Sequence, residues 1–354
     1  MFGALSRLLA VTASVALLCA GALAQTPKKV AINFGLTYVP VGNSPVFTVP
    51  RAMGFWKDEG LDVEVQLANG TGPALQQLIA GQVVGTVGGT PPVMSLIDQG
   101  ATIKVVGSFN SRNIYYPVVL ASSRIKTIED MKGAKVGVVS AASSNVYWIK
   151  GVAAKRGLNP EKDIELVSVG SGPAALQALT SGRIDVLQLF EASYDQIEQQ
   201  GFPLRRFTED QEFNKLAFTF GLTMRQDSID KDRALVTALL RGITKGVVYA
   251  KAHPEEVVKM HWKAYPLAKP QGVSDDEAMK LDLPILVGAL KNHEWADKGK
   301  FGFALPEEVT AVRNTLREYK ALNNELPNER YFDASFVEAS NQFDHAAVVA
   351  RKPM

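Results

Sequence analysis

A glycine-rich pattern occurs twice in this chain, about 100 residues apart. Residues 70–74 read Gly-Thr-Gly-Pro-Ala, and residues 170–174 read Gly-Ser-Gly-Pro-Ala. Each copy follows a strand-like run, residues 62–65 or 164–167, and precedes a second short apolar run, residues 83–87 or 184–187. This order predicts a strand, a tight turn, a helix and another strand, built twice. Two such units favour two lobes that face each other across a cleft of ligand size.

The first 24 residues have the features of a secretory signal peptide. Arg7 provides a positive charge, residues 8–20 form a short apolar core, and residues 22–24 (Ala-Leu-Ala) form a small-x-small cleavage site. We therefore expect an exported chain that begins at Gln25. An uncleaved anchor helix is the alternative, although the apolar run is short for a bilayer span. The single cysteine, Cys19, would leave with the signal, so neither a disulfide nor a cysteine metal site is expected.

The mature chain is long enough for two domains and nearly neutral. Cleavage after residue 24 would leave 330 residues, with 37 basic and 36 acidic side chains and a net charge of +1. Nucleic-acid and membrane-surface proteins need a basic excess, so this balance argues against both kinds of partner. We expect a soluble monomer.

The rest of the chain alternates between strands and helices, which predicts an α/β fold with mostly parallel sheets. Residues 29–34 form the first strand, and residues 123–132 and 230–259 are predicted as helices. The second helix has one apolar face, which consists of Leu235, Leu239, Leu240, Ile243 and Val247. We expect the C-terminal third to pack on the first lobe.

The predicted lobes are discontinuous in sequence. Residues 25–115 and 217–354 make lobe 1, and residues 116–216 make lobe 2. The chain is predicted to cross between the lobes at residues 117–121 and to return at residues 216–223. Two such crossings make a hinge that permits closure about a ligand.

Small polar residues at predicted helix starts are the best candidates for ligand binding. Backbone N–H groups at a helix start attract anionic or strongly accepting groups. Ser140, Ser143, Ser144 and Asn145 lie at one strand-to-helix turn of lobe 2, although plain N-capping would also explain them. Thr90 before Pro91-Pro92 is a similar candidate from lobe 1, and the glycine-rich turns could contribute N–H groups.

Further candidates lie in the loops around the predicted cleft. Tyr38 and Asn43 belong to the loop of residues 36–45, and Phe190 and Glu191 follow the strand of residues 184–190. Aromatic rings suit apolar or planar ligands. The Glu191 carboxylate could accept a hydrogen bond from a ligand, close a salt bridge between the lobes, or begin a solvated helix.

Enzymatic and metal-binding functions are disfavoured. The four histidines, at positions 253, 261, 293 and 345, have no metal-ligand spacing. Neither a nucleophile elbow nor a phosphate-binding loop is present, and the glycine turns lack the dinucleotide-binding spacing. We expect no catalytic residue, no metal and no cofactor.

Several phrases of this chain resemble one group of periplasmic substrate-binding proteins. These phrases are residues 53–65 (Met-Gly-Phe-Trp-Lys-Asp-Glu-Gly-Leu-Asp-Val-Glu-Val), the lobe-linking residues 125–138, the Gly-x-Gly-Pro helices and the pair Pro91-Pro92. The group serves ABC importers of alkanesulfonates, taurine, nitrate and thiamine precursors (the NMT1/THI5-like family). The resemblance covers most of residues 28–225.

The resemblance implies a two-lobe, class II periplasmic binding protein fold. Each lobe would be a mixed, mostly parallel sheet flanked by helices, and two crossing strands would join the lobes. The protein would close on one small molecule in the periplasm and deliver it to the membrane permease of an ABC importer. Ser143, Ser144 and Asn145 match the serine run of the alkanesulfonate binders. Gly89-Thr90 replaces an aspartate that these binders often carry, which weakens the case for an amino-bearing ligand such as taurine.

The sequence is compatible with more than one ligand and more than one role for this protein. A small polar or anionic molecule, sulfonate-like by preference, is the favoured ligand, and a thiamine-precursor pyrimidine or another aromatic solute is the alternative. A secreted enzyme and a ligand-presenting sensor could use the same cleft. The pyrimidine-synthesising relatives depend on a cysteine-rich motif, which is absent from residues 25–354.

Overall fold

The computed structural model describes residues 26–208, 211–293 and 300–353. The predicted signal peptide, its cleavage site and Cys19 lie outside this range. Within it, ten strands form two sheets of five strands each. The strands are β1 Lys28–Phe34, β2 Leu61–Leu67, β3 Gly85–Gly89, β4 Ile103–Ser108, β5 Pro117–Leu120, β6 Ala134–Val138, β7 Ile164–Ser168, β8 Val186–Gln188, β9 Leu204–Arg206 and β10 Phe220–Arg225.

Helices flank both sheets. Those that precede the end of β10 are α1 Thr48–Ala52, α2 Phe55–Asp58, α3 Thr71–Ile79, α4 Thr90–Asp98, α5 Ser144–Lys155, α6 Pro173–Thr180, α7 Glu191–Gln199 and α8 Gln211–Asn214. The later ones are α9 Gln226–Lys231, α10 Arg233–Ala252, α11 Pro254–Ala264, α12 Asp275–Lys291, α13 Pro306–Glu318, α14 Asn328–Tyr331, α15 Val337–Ser340 and α16 His345–Ala350. Short 3-10 segments occur at Val41–Asn43, Glu129–Met131, Pro266–Ala268 and Ala334–Phe336. Across these ranges, no helix is long and apolar enough to cross a membrane.

The two sheets have the same plan. The first has the order β2-β1-β3-β10-β4 and the second the order β7-β6-β8-β5-β9. In each, the three leading strands are parallel and the fourth is antiparallel to its neighbours. The fourth strand follows a crossing from the other lobe, so each lobe contains a strand that enters from its partner. The predicted mixed, mostly parallel sheets are confirmed.

The crossings lie slightly before the predicted positions. β5 pairs with β8 and β9 in one sheet, and β10 pairs with β3 and β4 in the other, over the whole length of each strand. The described parts of the connections between the lobes are therefore residues 109–116, 207–208 and 211–219. The two connections contact each other, since the Asn113 N–H donates to the Asn214 carbonyl over 3.1 Å.

Two predicted helices differ from the structure. Residues 123–132 contain only the 3-10 segment Glu129–Met131, because the Asp130 carboxylate accepts from the N–H groups of Lys126 and Thr127 and holds a turn. The predicted helix of residues 230–259 is divided among α9, α10 and α11. It breaks at His253-Pro254, where proline lacks the N–H that a continuous helix needs.

The helix α10 packs against lobe 1 as expected. Its five predicted apolar positions are all buried. Trp56 of α2 is fully buried, and its indole N–H donates to the Leu239 carbonyl over 3.1 Å. Gly242 leaves the space for this ring, since a Cβ there would lie 2.1 Å from it. The carboxylate of Glu59 pairs with Arg241 at 2.8 Å and Lys245 at 2.6 Å, which ties the two segments together.

Candidate functional site

A cavity of about 70 Å³ lies between the lobes, at the carboxyl ends of the central strands. Lobe 1 contributes the ends of β1 and β3, the start of α3 and the end of α12, and lobe 2 contributes the starts of α5 and α7. A buried water needs roughly 10–15 Å³ on this scale, so the cavity has room for a few waters or a solute of similar size. The structure therefore brings both lobes around one small site.

The serine loop of lobe 2 forms one wall. Ser143, Ser144 and Asn145 line the cavity and are buried. The Ser143 hydroxyl donates to the Ser140 carbonyl over 2.7 Å and shapes the loop. Ser144 is the first residue of α5, and the Asn145 amide donates to the Leu189 carbonyl over 3.0 Å. Three of the four residues predicted at this turn thus line the cavity.

The first glycine-rich turn faces this serine loop across the cleft. Thr71 lines the cavity, and its hydroxyl lies 3.3 Å from that of Ser144. The Gly72 N–H donates to the Ala142 carbonyl over 3.0 Å. A Cβ on Gly72 would lie 2.5 Å from the Ala142 Cβ, which is too close for any real contact. Glycine is therefore required here for the approach of the lobes.

The second glycine-rich turn, in lobe 2, contacts lobe 1 across the cleft. Gly172, with a φ of 65°, lies against the ring of Tyr38, whose hydroxyl donates to the Gln196 side chain over 3.3 Å. Burial raises the Tyr38 pKa to about 12, so this hydroxyl remains protonated. Tyr38 is thus a contact between the lobes and does not line the cavity.

Glu191 is at the centre of a hydrogen-bonded network beside the cavity. Its carboxylate lies 2.6 Å from the Arg112 guanidinium and accepts from the Tyr116 hydroxyl at 3.3 Å and from the Asn292 amide at 3.2 Å. Asn292 belongs to lobe 1 and Arg112 to a crossing segment. One predicted role for Glu191 is a salt bridge between the lobes. Its carboxylate contacts lobe 1 through Asn292 and the crossing segment through Arg112, which compensates its charge.

The remaining predicted residues divide between the cavity and its surroundings. Asn43 and Phe190 line the cavity, where Phe34, Tyr115 and Phe220 add further aromatic surface. Thr90 does not, because its hydroxyl donates to the Phe218 carbonyl over 2.5 Å and its N–H donates to the Thr219 carbonyl. Ser140 also lies outside the lining and next to Gly70, where an added Cβ would lie 2.3 Å from its hydroxyl.

Sequence reasoning missed the contribution of the C-terminal helices. Ile285, Gly288 and Ala289 of α12 and the following Asn292 and His293 line the cavity, with Asn110 beside them. Nothing in the local sequence of α12 indicates a ligand site. Its position depends on packing against the loop that holds Gly42, where a Cβ would lie 3.0 Å from that of Ala289.

Three helix starts and two carboxylates, those of Glu191 and Asp195, surround the cavity. The N-termini of α3, α5 and α7 reach it through Thr71, Ser144 and Ala192. None of the lining residues that the structure describes is lysine or arginine. Asp195 also lines it, paired with Arg206 at 2.7 Å, and burial raises its pKa. Partial positive charge from the three helix starts therefore faces the cavity.

No metal or cofactor site emerges from the described ranges. They contain no group of three or more histidine, cysteine, aspartate or glutamate side chains that could hold a metal ion. The cavity lining offers hydroxyl, amide and aromatic groups, which suit non-covalent binding of a small solute.

The family model described as "NMT1/THI5 like" matches residues 43–257, well over half of the chain. The chain belongs to the NMT1/THI5-like family. This match contains the serine loop, both glycine-rich turns and the start of α7, but it ends before α12. Nine of the described lining residues, Asn292 and His293 among them, therefore lie outside the matched region.

Two curated relatives are similar over about two thirds of the chain. The bicarbonate-binding protein CmpA of Synechococcus elongatus is 24% identical over 64% of this chain and 56% of its own length. A putative thiamine biosynthesis protein of Haemophilus influenzae is 26% identical over 67% of this chain and 74% of its own length. The chain thus spans little more than half the length of the bicarbonate-binding relative.

Solved structures share the fold of periplasmic binding proteins. A Bordetella bronchiseptica protein has a TM-score of 0.73 at 22% identity, with 89% of this chain and 97% of that one covered. The alkanesulfonate-binding protein SsuA of Xanthomonas axonopodis pv. citri has a TM-score of 0.67 at 14% identity, with 87% and 99% covered. The desulfurization enzyme DSZB has a TM-score of 0.54 at 16% identity, with 88% and 98% covered, so one enzyme also has this fold.

Proposed function

We propose that this protein is the solute-binding component of an ABC importer and captures a small anionic organic molecule, a sulfonate by preference. The carrying observation is the convergence of three helix N-termini on one cavity between two lobes. Backbone N–H groups and helix dipoles at such starts stabilise an anion without a basic side chain.

The hydroxyls of Thr71 and Ser144 support this assignment. They lie 3.3 Å apart and come from opposite lobes, so one oxoanion that accepts from both hydroxyls would be bound only when the cleft is closed. We propose Ser144, Asn145 and Thr71 as the anion-binding residues, with Ser143 shaping the loop. Asn43, Phe190 and Glu191 would surround the organic part of the ligand. Tyr38 would act in closure, Thr90 would support the neighbouring backbone, and the Ser140 hydroxyl would have no part in binding.

The remaining elements of the proposal concern the whole protein. Lobe 1 would comprise residues 25–115 and 217–354 and lobe 2 residues 116–216, with closure about the two crossing segments. The protein would act in the periplasm as a monomer after cleavage of residues 1–24, and would deliver its ligand to a membrane permease without catalysing a reaction. A ligand-presenting sensor differs from this only in its partner.

Isothermal titration calorimetry tests the ligand class. The panel should contain alkanesulfonates, carboxylates, nitrate, bicarbonate and aminopyrimidines, each added to the protein expressed from residue 25. We expect a sulfonate to bind saturably. We also expect no release of sulfite after binding, whereas a desulfurizing enzyme would release it. The proposal would be overturned if no anion bound, or if a bound sulfonate were turned over.

A thiamine-precursor pyrimidine is the second candidate. The rings of Phe34, Tyr115, Phe190 and Phe220 offer stacking surface for a planar heterocycle, and the Haemophilus influenzae relative is named for thiamine biosynthesis. Tight binding of an aminopyrimidine, with no binding of sulfonates, would favour this candidate over the first.

A further inference from the structure

Three buried polar atoms on one side of the cavity have no hydrogen-bond partner among the residues that the structure describes. They are the side-chain amide nitrogen of Asn110, the amide oxygen of Asn292 and Nε2 of His293. The three residues are 3%, 6% and 5% exposed, and all line the cavity. They are neighbours, since the Asn292 carbonyl accepts from Ser111 and His293 contacts Phe109. Unpartnered polar atoms at this depth are rare and call for an explanation.

The other contacts of His293 and Asn292 show that both of their unpartnered atoms are hydrogen-bond acceptors. His293 Nδ1 lies 2.6 Å from the Phe109 carbonyl, which can only accept, so Nδ1 carries the proton. Burial lowers the His293 pKa to about 4, so at neutral pH the ring is uncharged and Nε2 offers a lone pair. The Asn292 amide nitrogen donates to Glu191, which leaves its oxygen as an unpartnered acceptor on a residue that lines the cavity.

We propose that Asn292 and His293 recognise a neutral hydrogen-bond donor, a hydroxyl group, on the organic part of the ligand. This inference rests on the proposed binding of a sulfonate-like solute. A hydroxyl can donate to one of the two acceptors and can itself accept from the Asn110 amide nitrogen, so it pairs with groups of both kinds.

A charged amine fits this cluster less well. An ammonium group has three donors and no acceptor, so it would leave the Asn110 nitrogen unpaired. It would also need an uncompensated carboxylate, whereas Glu191 is already paired with Arg112 and Asp195 with Arg206. Burial of a charge without such a partner is costly. Both ligand and cluster are therefore expected to be neutral in this region.

Matched probes test the inference by calorimetry. Ethanesulfonate and 2-hydroxyethanesulfonate differ by one hydroxyl, and 2-aminoethanesulfonate carries an amine at the same position. Propanoate and 3-hydroxypropanoate repeat the comparison with a carboxylate anion. We expect the hydroxylated member of a pair to bind at least tenfold more tightly than the parent, and the amine to show no such gain.

Two substitutions of His293 test whether this residue causes the preference for a hydroxylated ligand. In His293→Asn, the amide nitrogen can still donate to the Phe109 carbonyl, but the acceptor at Nε2 is removed. In His293→Gln, the longer amide places an acceptor near the Nε2 position. We expect the hydroxyl preference to fall to about twofold or less in His293→Asn and to be retained in part in His293→Gln. Circular dichroism and thermal melting verify that both variants are folded.

The outcomes separate this inference from the proposed function. Equal affinity within each probe pair, or an unchanged hydroxyl preference in folded His293→Asn, would overturn the inference and leave the proposed function standing. If neither the sulfonates nor the carboxylates bound, the proposed function would fail and this inference would fail with it.

Discussion

The hydroxyl of Ser144 is the single group where the local sequence, the contact between lobes and the proposed chemistry coincide. It begins α5, lines the cavity and lies 3.3 Å from the Thr71 hydroxyl of the other lobe. Replacement by alanine should reduce affinity for the bound sulfonate by about tenfold or more, since a hydrogen bond to a charged group contributes about 1.5–3 kcal/mol. Calorimetry measures this directly.

Ser140→Ala is the matched control for Ser144→Ala. It removes a hydroxyl from the same loop, but one that lies outside the cavity lining and has no hydrogen-bond partner within the described ranges. We expect its affinity to remain within about twofold of wild type. Equal losses in the two variants would mean that the loop, and not the Ser144 hydroxyl, determines binding.

Asp282 is a buried carboxyl whose ionisation opposes folding. It lies on α12 with a hydrogen bond of 2.7 Å from the Trp262 indole, and burial raises its pKa from 3.8 to about 6. Because the folded state prefers the protonated acid, this stabilisation is complete below about pH 4 and is lost as the pH rises through 6. An asparagine side chain at this position would accept the same indole hydrogen bond without a charge.

Asp282→Asn should therefore be more stable than wild type at pH 7.5 and similar to it at pH 4. The difference has an upper bound of about 3 kcal/mol, from roughly 1.4 kcal/mol per pKa unit. Urea denaturation at several pH values would measure it. Parallel stability curves for the two proteins from pH 4 to pH 8 would contradict the prediction.

At the level of elements, the glycine-rich turns matter because they bring the lobes together. Gly72 does not have a positive φ, and the atoms nearest to an added Cβ all belong to Ala142 of the other lobe. Gly72→Ala should thus leave each lobe folded but hinder closure. We expect affinity to fall by about tenfold or more with little change in the melting temperature of the unliganded protein. Wild-type affinity in this variant would show that closure does not require the contact.

Sequence patterns predicted most elements because they depend on local spacing. The strand–turn–helix repeats, the apolar face of α10 and the serine turn before α5 all have short-range signals. The break at His253-Pro254 also has one, since proline ends a helix, but the surrounding apolar spacing suggested continuity. Local signals therefore identified the elements better than their ends.

The half of the site formed by α12 could not be predicted in this way. Asn292 and His293 reach the cavity through long-range packing, about 180 residues from Asn110 and 100 from Glu191. The local spacing of apolar residues does not predict a contact between residues so far apart in sequence. Thr90 is a predicted ligand-binding residue but does not line the cavity. Its hydroxyl donates to Phe218 in a crossing segment instead. Side-chain direction at a helix start depends on the neighbouring chain, which the local sequence does not specify.

For the whole molecule, closure of the two lobes is the step on which the proposed function depends. The lobes meet through backbone and side-chain contacts that surround the cavity, and two segments connect them. Gly42 of lobe 1 and Ala192 of lobe 2 both line the cavity. A Cβ on Gly42 would lie 3.7 Å from the Ala192 Cβ, close to the separation of about 3.8 Å found in disulfides.

A Gly42→Cys/Ala192→Cys variant should therefore form a disulfide that holds the lobes together. Expression from residue 25 leaves no other cysteine, and Ala289→Gly relieves the 3.0 Å approach of the new Cβ to Ala289. We expect the oxidised protein to have a smaller radius of gyration by X-ray scattering than the reduced, unliganded one, and to exchange sulfonate at least tenfold more slowly. Gly42→Cys alone should respond to neither oxidant nor reductant. Ligand exchange at equal rates in the oxidised and reduced forms of this triple variant would mean that entry does not require separation of the lobes at this contact, and the hinge mechanism would have to be abandoned.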